Sequence, residues 1–286
     1  MPYPRAETVT PSQDVRVLAP VRETWNHRSI VRNLTERELK AKYKKSVLGW
    51  VWSLLNPLAT LVIYSIVFGA FLKIEPPVGG NGDLQVFALY LFAALVIWNF
   101  FNAVVNGSMA AMTSAGPLIR KVYLPPECIV FSVIGAAVLQ TAVEASILAV
   151  IMICVGNASL TFLLFPLVLV MLVLFTAGIA MVVSLLNVYY RDVGYLVGIA
   201  LTFLFYATPI VYTITIVPKE VDGIPARAII EANPMTQFVM SSRDIFYELQ
   251  VPSLGRFAYM LAWSVGSFVI GWWIFSRRAG DVAEEL

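Results

Sequence analysis

Few side chains in this sequence could do chemistry, and they are scattered. Between residues 128 and 190 the one charged group is Glu144, with Gln140 and Thr141 a turn before it. A carboxyl in such a run can serve a proton or cation pathway, because ion coupling needs a group that changes charge or coordination inside the membrane. One carboxyl is a thin basis for that, and the simpler reading is a group held neutral or hydrogen-bonded between helices beside Gln140. The single histidine, His27, has no second His and no Cys nearby, so neither a zinc site nor a His-based relay can be assembled. Cys128 and Cys154 fall at opposite ends of one expected helix, about 39 Å apart at 1.5 Å per residue. They cannot bond to each other within the chain and read as small apolar packers. No Gly-x-x-x-x-Gly-Lys-Ser/Thr run exists to cradle ATP phosphates, no Gly-x-Ser-x-Gly is present, and no pair of intramembrane aspartates occurs. The expectation is a chain with no catalytic residue, no metal and no cofactor of its own.

What the sequence does have is apolar length. Its 286 residues, 31.6 kDa, are 59% hydrophobic and 13% charged with a mean hydropathy of +0.77, whereas a soluble domain carries about 25% charged residues. Residues 46–72, 84–119, 193–218 and 257–276 contain no Asp, Glu, Lys or Arg. A crossing needs about 20 mostly apolar residues. The 128–190 run is too long for one crossing and is broken by Gly156-Asn157-Ala158-Ser159, a cluster of turn formers, so it predicts a tight hairpin. The 84–119 run counts once, because its second half carries Asn102, Asn106, Ser108, Thr113, Ser114, Gly116 and Pro117. The result is an all-α integral membrane protein with six transmembrane helices, near Leu54–Leu72, Leu84–Val105, Ile129–Val155, Leu160–Leu186, Tyr195–Val217 and Phe257–Phe275.

Lys and Arg in short flanks resist translocation. Arg32, Arg37, Lys40, Lys42, Lys44, Lys45, Arg120, Lys121, Arg191, Arg277 and Arg278 lie on one side, against Lys73, Lys219, Arg227, Arg243 and Arg256 on the other. Both termini are therefore expected in the cytoplasm. The net charge of +2 is uninformative as a sum, and nothing supports nucleic-acid binding. Residues 1–30 read as a loose cytoplasmic tail without the apolar core of a cleavable signal peptide, and 277–286 as a short cytoplasmic tail after the 53–276 six-span domain.

Two segments outside the crossings look organised. Thr35-Glu36-Arg37-Glu38 fits a capping box with Thr35 as N-cap. Leu39, Tyr43 and Val47 then recur opposite Lys40, Lys42, Lys44 and Lys45, which predicts a basic amphipathic helix over 31–52 in the inner interface. It could be a plain anchor, a docking surface for a cytoplasmic partner, or an attraction for anionic head groups. The outer loop from Pro218 to Arg256 is too long for a simple connector. Asn233 and Pro234 offer an N-cap and an N1 proline for a short amphipathic helix carrying Met235, Phe238, Val239, Ile245, Phe246 and Leu249, preceded by a weaker helix near Ala226–Ala232. These short extracytoplasmic helices should rest on the outer surface, as a packed lid or as a gate.

Several runs carry a resemblance. Tyr43, Lys44, Ser46, Leu48, Gly49 and Trp52 form a Tyr-Lys-x-Ser-x-Leu-Gly-x-x-Trp run, followed by Asn56-Pro57 at the head of the first span. Further along stand Ile119-Arg120-Lys121-Val122-Tyr123-Leu124-Pro125, Asn187-Val188-Tyr189-Tyr190-Arg191-Asp192-Val193 and Thr208-Pro209-Ile210-Val211-Tyr212. In order, from about residue 30 to 275, these resemble the membrane subunits of type-2 ABC exporters that move polysaccharides and polyol phosphates, the Wzm/TarG group.

The resemblance implies two six-helix chains paired with two copies of a separate ABC ATPase that binds ATP and Mg, in the bacterial cytoplasmic (inner) membrane. It implies a substrate that is a glycan or polyol phosphate (O-antigen, teichoic acid or galactan type) on a polyprenyl pyrophosphate lipid. A path lined by the first and fifth helices would here present Tyr64, Phe68, Phe71, Phe203, Phe205, Tyr206 and Tyr212, whose rings and hydroxyls suit sugars. Lys44 and Lys45 would attract the pyrophosphate head group. Lys40, Arg120, Lys121, Tyr123, Arg191 and Asp192 mark the segments expected to contact the ATPase. Export of a lipid or drug by the same architecture is the alternative, and an ion-coupled secondary transporter is a rival of a different class.

Overall fold

The computed structural model describes residues 28–42, 49–73, 76–116 and 125–278. These residues are almost entirely helical, and among them there is no strand, only an isolated bridge between Val221 and Ile224. Among the described residues five helices are long and apolar enough to cross a membrane and a sixth apolar helix is shorter. The tail before residue 28, the Tyr43 to Leu48 run with Lys44 and Lys45, the loop holding Arg120, Lys121 and Tyr123, and the last eight residues lie outside the described residues.

Helix α1 (Arg28–Lys42) starts well before the expected cap. Thr35 sits inside it, its hydroxyl donating to the Val31 carbonyl one turn back (2.9 Å) and to the Ser132 carbonyl (3.3 Å). The capping box is therefore incorrect, because a Thr within a helix turns its hydroxyl to the i−4 carbonyl. Leu34 is buried while Arg32, Glu36, Arg37 and Lys40 are exposed.

The first spanning helix runs from Trp52 to Phe71, as α2 (Trp52–Tyr64) continued by a π-helical turn, Ser65–Phe71. Pro57 lies within it and has no amide hydrogen for the Ser53 carbonyl. That carbonyl instead accepts from Gln140 Nε2 of the third spanning helix (3.3 Å), which is how a bilayer tolerates an interior proline.

Helix α3 (Phe87–Ser114) is the post around which the others stand. Every side chain from Phe87 to Trp98 is buried. It runs nine residues past the expected end, through Asn102, Asn106, Ser108 and Thr113. Helices α4 (Glu127–Cys154) and α5 (Phe165–Tyr189, led by a 3₁₀ turn Leu160–Leu164) make the expected hairpin. Gly156 takes a positive φ of 78° at its turn. Asn157 is fully buried, and its Nδ2 donates to the Phe246 and Tyr247 carbonyls (2.9 and 3.0 Å) while its Oδ1 accepts from the Asn81 amide (3.1 Å).

The fifth apolar segment departs from expectation. Helix α6 (Val193–Ala207) stops at Thr208 instead of reaching Val217, because Pro209 disfavours the helical region for the residue before it, and Thr208 is extended with ψ 135°. Fifteen residues rise about 22 Å, short of the roughly 30 Å hydrocarbon core. Two short helices follow, α7 (Ala226–Glu231) and α8 (Pro234–Arg243), the latter extended by a π-helical turn, Asp244–Glu248. Asn233 caps α8 as expected, its Oδ1 accepting from the Met235 amide (3.0 Å). Helix α7 has no buried residue, but α8 does not rest on the surface. Phe238, Val239, Ile245, Phe246 and Tyr247 are buried, and α8 packs into the bundle against α3, since an apolar stripe this wide gains most by entering the core.

The last helix, α9 (Leu254–Arg278), crosses α5 at Gly178 and Gly271, where a Cβ on either glycine would meet backbone of the other helix at 2.1 to 2.2 Å. Close approach through small residues also lets Ser264 and Ser267 donate to the Met171 and Phe175 carbonyls (2.7 and 2.8 Å).

Candidate functional site

Three groupings of residues emerge once the helices are placed. Within α4, Glu144 is 7% exposed. Its two carboxyl oxygens accept from Asn99 Nδ2 (3.2 Å) and Gln140 Nε2 (3.3 Å). With the Gln140 bond to Ser53, this ties α2, α3 and α4 together beside a cavity of about 440 Å³ that Glu38 and Leu39 of α1 also line. Gln140 was legible as a partner and Asn99 was not. Glu144→Gln is expected to insert and to function as the wild type does, because an amide can still bond both neighbours if one of them turns over. Glu144→Leu should lower stability by about 1 to 3 kcal/mol, since two donors lose their acceptor. Equal melting of the two variants in detergent would contradict this.

The second grouping is the aromatic set. Tyr64 and Phe68 of the first spanning helix are half-buried and start a chain of rings, Tyr64–Phe68 (5.7 Å), Phe68–Phe87 (5.1 Å), Phe87–Tyr90 (6.2 Å) and Tyr90–Tyr247 (5.3 Å). Phe71 is 76% exposed. On α6, Phe203 and Tyr206 point outward, Tyr206 being 65% exposed. Phe205 is half-buried against Trp98 (5.3 Å), and Tyr212 folds back so that its hydroxyl donates to the Tyr206 carbonyl (3.0 Å). Within one chain the two helices are not brought together: α2 packs on α3 and α4, α6 on α3 and α5. Of the expected coupling residues that are described, Lys40 is exposed and pairs with Glu36 (3.5 Å), and Arg191 and Asp192 are exposed at the turn between α5 and α6.

The third grouping surrounds Arg243, which sequence reasoning counted as an ordinary outer cation. Arg243 is 3% exposed. It donates to the carbonyls of Pro209 and Ile210 (both 2.6 Å) and Tyr90 (3.3 Å), and its guanidinium lies 3.7 Å from the centre of the Tyr90 ring. Burial lowers its pKa to about 10, which leaves it protonated at neutral pH. Next to it, Asp244 pairs with Arg256. Burial raises the Asp244 carboxyl to about 6, although Arg256 opposes the shift. Asn233 adds a second tie, donating from Nδ2 to the Thr208 hydroxyl (2.9 Å). The broken end of α6 is thus held by α8. The one signal in the sequence was an arginine within the apolar spacing of Phe238 to Phe246.

Among the described residues the three groupings hold no nucleophile–base pair; they offer rings, amides and hydroxyls around two buried ionisable side chains, Glu144 and Arg243. The family described as ABC-2 type transporter matches residues 30–247. The O-antigen export system permease protein RfbA of Myxococcus xanthus is 28% identical over 274 residues, 93% of this chain and 98% of that protein. A protein of the same description from Klebsiella pneumoniae is 27% identical over 215 residues, 74% and 78% of the two chains. The polysialic acid transport protein KpsM of Escherichia coli is 22% identical over 253 residues, 87% and 93% of the two.

Proposed function

The chain belongs to the ABC-2 type transporter family, and from that we propose that it is the membrane-spanning permease subunit of an ATP-driven exporter. Its cargo is a polyprenyl-pyrophosphate-linked polysaccharide of O-antigen type, moved across the bacterial cytoplasmic membrane. The observation that carries this reading is the likeness over 93% of the chain to a protein named as an O-antigen export permease. The likeness to a polysialic acid transport protein favours an anionic polysaccharide as the second reading.

ATP and Mg belong to a separate ATPase, present in two copies beside two copies of this chain. The polymer path lies between the copies, because the core of a single bundle, from Leu91 to Phe275, is filled with side chains and a two-fold interface can enclose a wider passage. Helix α6 with the segment to Ile216 makes the sixth crossing, so that both termini are cytoplasmic and α7 and α8 lie outside. Lys44 and Lys45 meet the pyrophosphate head group, while Lys40, Arg120, Lys121, Tyr123, Arg191 and Asp192 face the ATPase.

Deleting the chain in its source organism should abolish the surface polysaccharide, and the intact protein drawn from mild detergent should bring an ABC ATPase with it. Unchanged surface polymer would sink the reading. Charge reversal at Arg120 and Lys121 should release the ATPase in the same pull-down without loss of membrane insertion; retention at the wild-type level would remove those two residues from the contact. For the aromatic path, Tyr206→Leu should slow export about three- to tenfold, the worth of one ring contact, with normal folding. Cysteines at 71 and 206, in a background lacking Cys128 and Cys154, should react with a water-soluble thiol reagent during transport. If cysteines at Val197 or Leu204 on the opposite face of α6 react instead, the path lies elsewhere.

A further inference from the structure

Between α3 and α6 lies a cavity of about 380 Å³ lined by Trp98, Asn102, Asn106, Gly198, Thr202 and Tyr206, with Leu201 and Phe205 closing it. The volume is at the low end of the roughly 300 to 1,000 Å³ typical of small-molecule sites. Its composition is unusual for two helices in a bilayer. Asn106 and Thr202 are exposed and Asn102 half-exposed, although amide groups facing hydrocarbon carry a cost of several kcal/mol when unsatisfied. Such a face is stable where it meets water or a polar ligand.

The amides are arranged rather than merely near each other. Asn106 Nδ2 donates to Asn102 Oδ1 at 2.6 Å. That bond leaves the Nδ2 of Asn102 and the Oδ1 of Asn106 with no hydrogen-bond partner among the described residues. A donor and an acceptor presented side by side match two neighbouring hydroxyls, each of which can accept and donate. Tyr206, 65% exposed, supplies ring surface for the C–H face of a sugar, while the buried Trp98 forms the wall behind it, in edge contact with Phe205. Gly198 keeps the space open, since a Cβ there would meet nothing within 4 Å. Among the described residues no charged side chain lines the cavity, and a carboxylate or phosphate entering it would be desolvated without a counter-ion from them.

We propose that this niche is a hydroxyl-reading subsite for a neutral sugar ring, so that the exported polymer is an uncharged glycan rather than a polyanion. The inference rests on the export reading above and decides between its two cargoes. Asn102 and Asn106 read the hydroxyls; Tyr206 orients the ring.

The test uses the full chain in lipid nanodiscs with a panel of neutral manno-, gluco- and galacto-trisaccharides and with oligosialic acid, followed by saturation-transfer NMR. At least one neutral trisaccharide should bind saturably, and oligosialic acid should not bind at the same concentration. The Asn102→Leu/Asn106→Leu pair should weaken binding about tenfold, the expected loss for two neutral hydrogen bonds. Gly198→Leu, whose Cβ has nothing within 4 Å, should abolish it by placing an apolar side chain in the cavity. Binding of oligosialic acid as strong as that of the neutral sugars, binding unchanged in both variants, or no neutral sugar binding would each overturn the proposal. Export in the deletion strain separates the two levels. If the wild-type chain restores surface polymer and both variants restore it at the same rate, the niche is wrong and the export reading stands; if the wild-type chain restores nothing, both fall.

Discussion

Arg243→Met is expected to cost on the order of 3 kcal/mol of stability, the largest effect of any single substitution in α7 and α8. Methionine keeps much of the apolar stem but removes three N–H donors at once. The Pro209 and Ile210 carbonyls, each 2.6 Å from the guanidinium, have no helical partner because α6 has already ended at Ala207. A hydrogen bond to a charged donor is worth about 1.5 to 3 kcal/mol, and an acceptor left buried without one carries its full desolvation cost. Lysine restores the charge but cannot span three carbonyls from one nitrogen, so Arg243→Lys should recover less than half of the loss. Melting in detergent, with the monodisperse fraction as a second readout, measures both variants. The loss should concentrate at the α6 end: a cysteine at Tyr212 should become more reactive in Arg243→Met. If the variant melts within 1 °C of wild type, Arg243 does not hold the broken helix.

Gly271→Leu should disrupt the α5–α9 contact by a comparable amount. A Cβ at residue 271 would sit 2.2 Å from the Gly178 carbonyl oxygen, which is backbone and cannot swing aside. The helices must separate, and with them go the bonds from Ser264 to Met171 and from Ser267 to Phe175. Overpacking costs about 1 to 3 kcal/mol and each lost bond about 0.5 to 1.5 kcal/mol more. Gly266 lies on the same helix with nothing within 4 Å of a built Cβ, so Gly266→Ala should be neutral or slightly stabilising, as alanine favours the helix. Equal yields of folded protein from Gly271→Leu and Gly266→Ala would show that the close crossing is not required.

Local features were legible along the chain. Charge-poor runs marked five of the six apolar helices to within a few residues at most ends, because hydropathy depends only on composition and length. Gly156 to Ser159 marked the hairpin and Asn233-Pro234 the start of α8, since turn and cap chemistry is set within four or five residues.

Arrangement was decided only in three dimensions. Helices α3, α4 and α5 are apolar on nearly every side, and a pattern without a polar face does not say which helix is central and which meets lipid; packing made α3 the post. Asn102 and Asn106 read as weakness in the second span until α6 placed Thr202 and Tyr206 across from them. Arg243 read as an outer cation for a related reason. Its partners are carbonyls 33 and 34 residues away, freed by a proline that ends another helix, and backbone acceptors leave no trace in side-chain spacing. Polarity along the chain selects which segments leave water; which polar group meets which is set by the distances created when those segments pack.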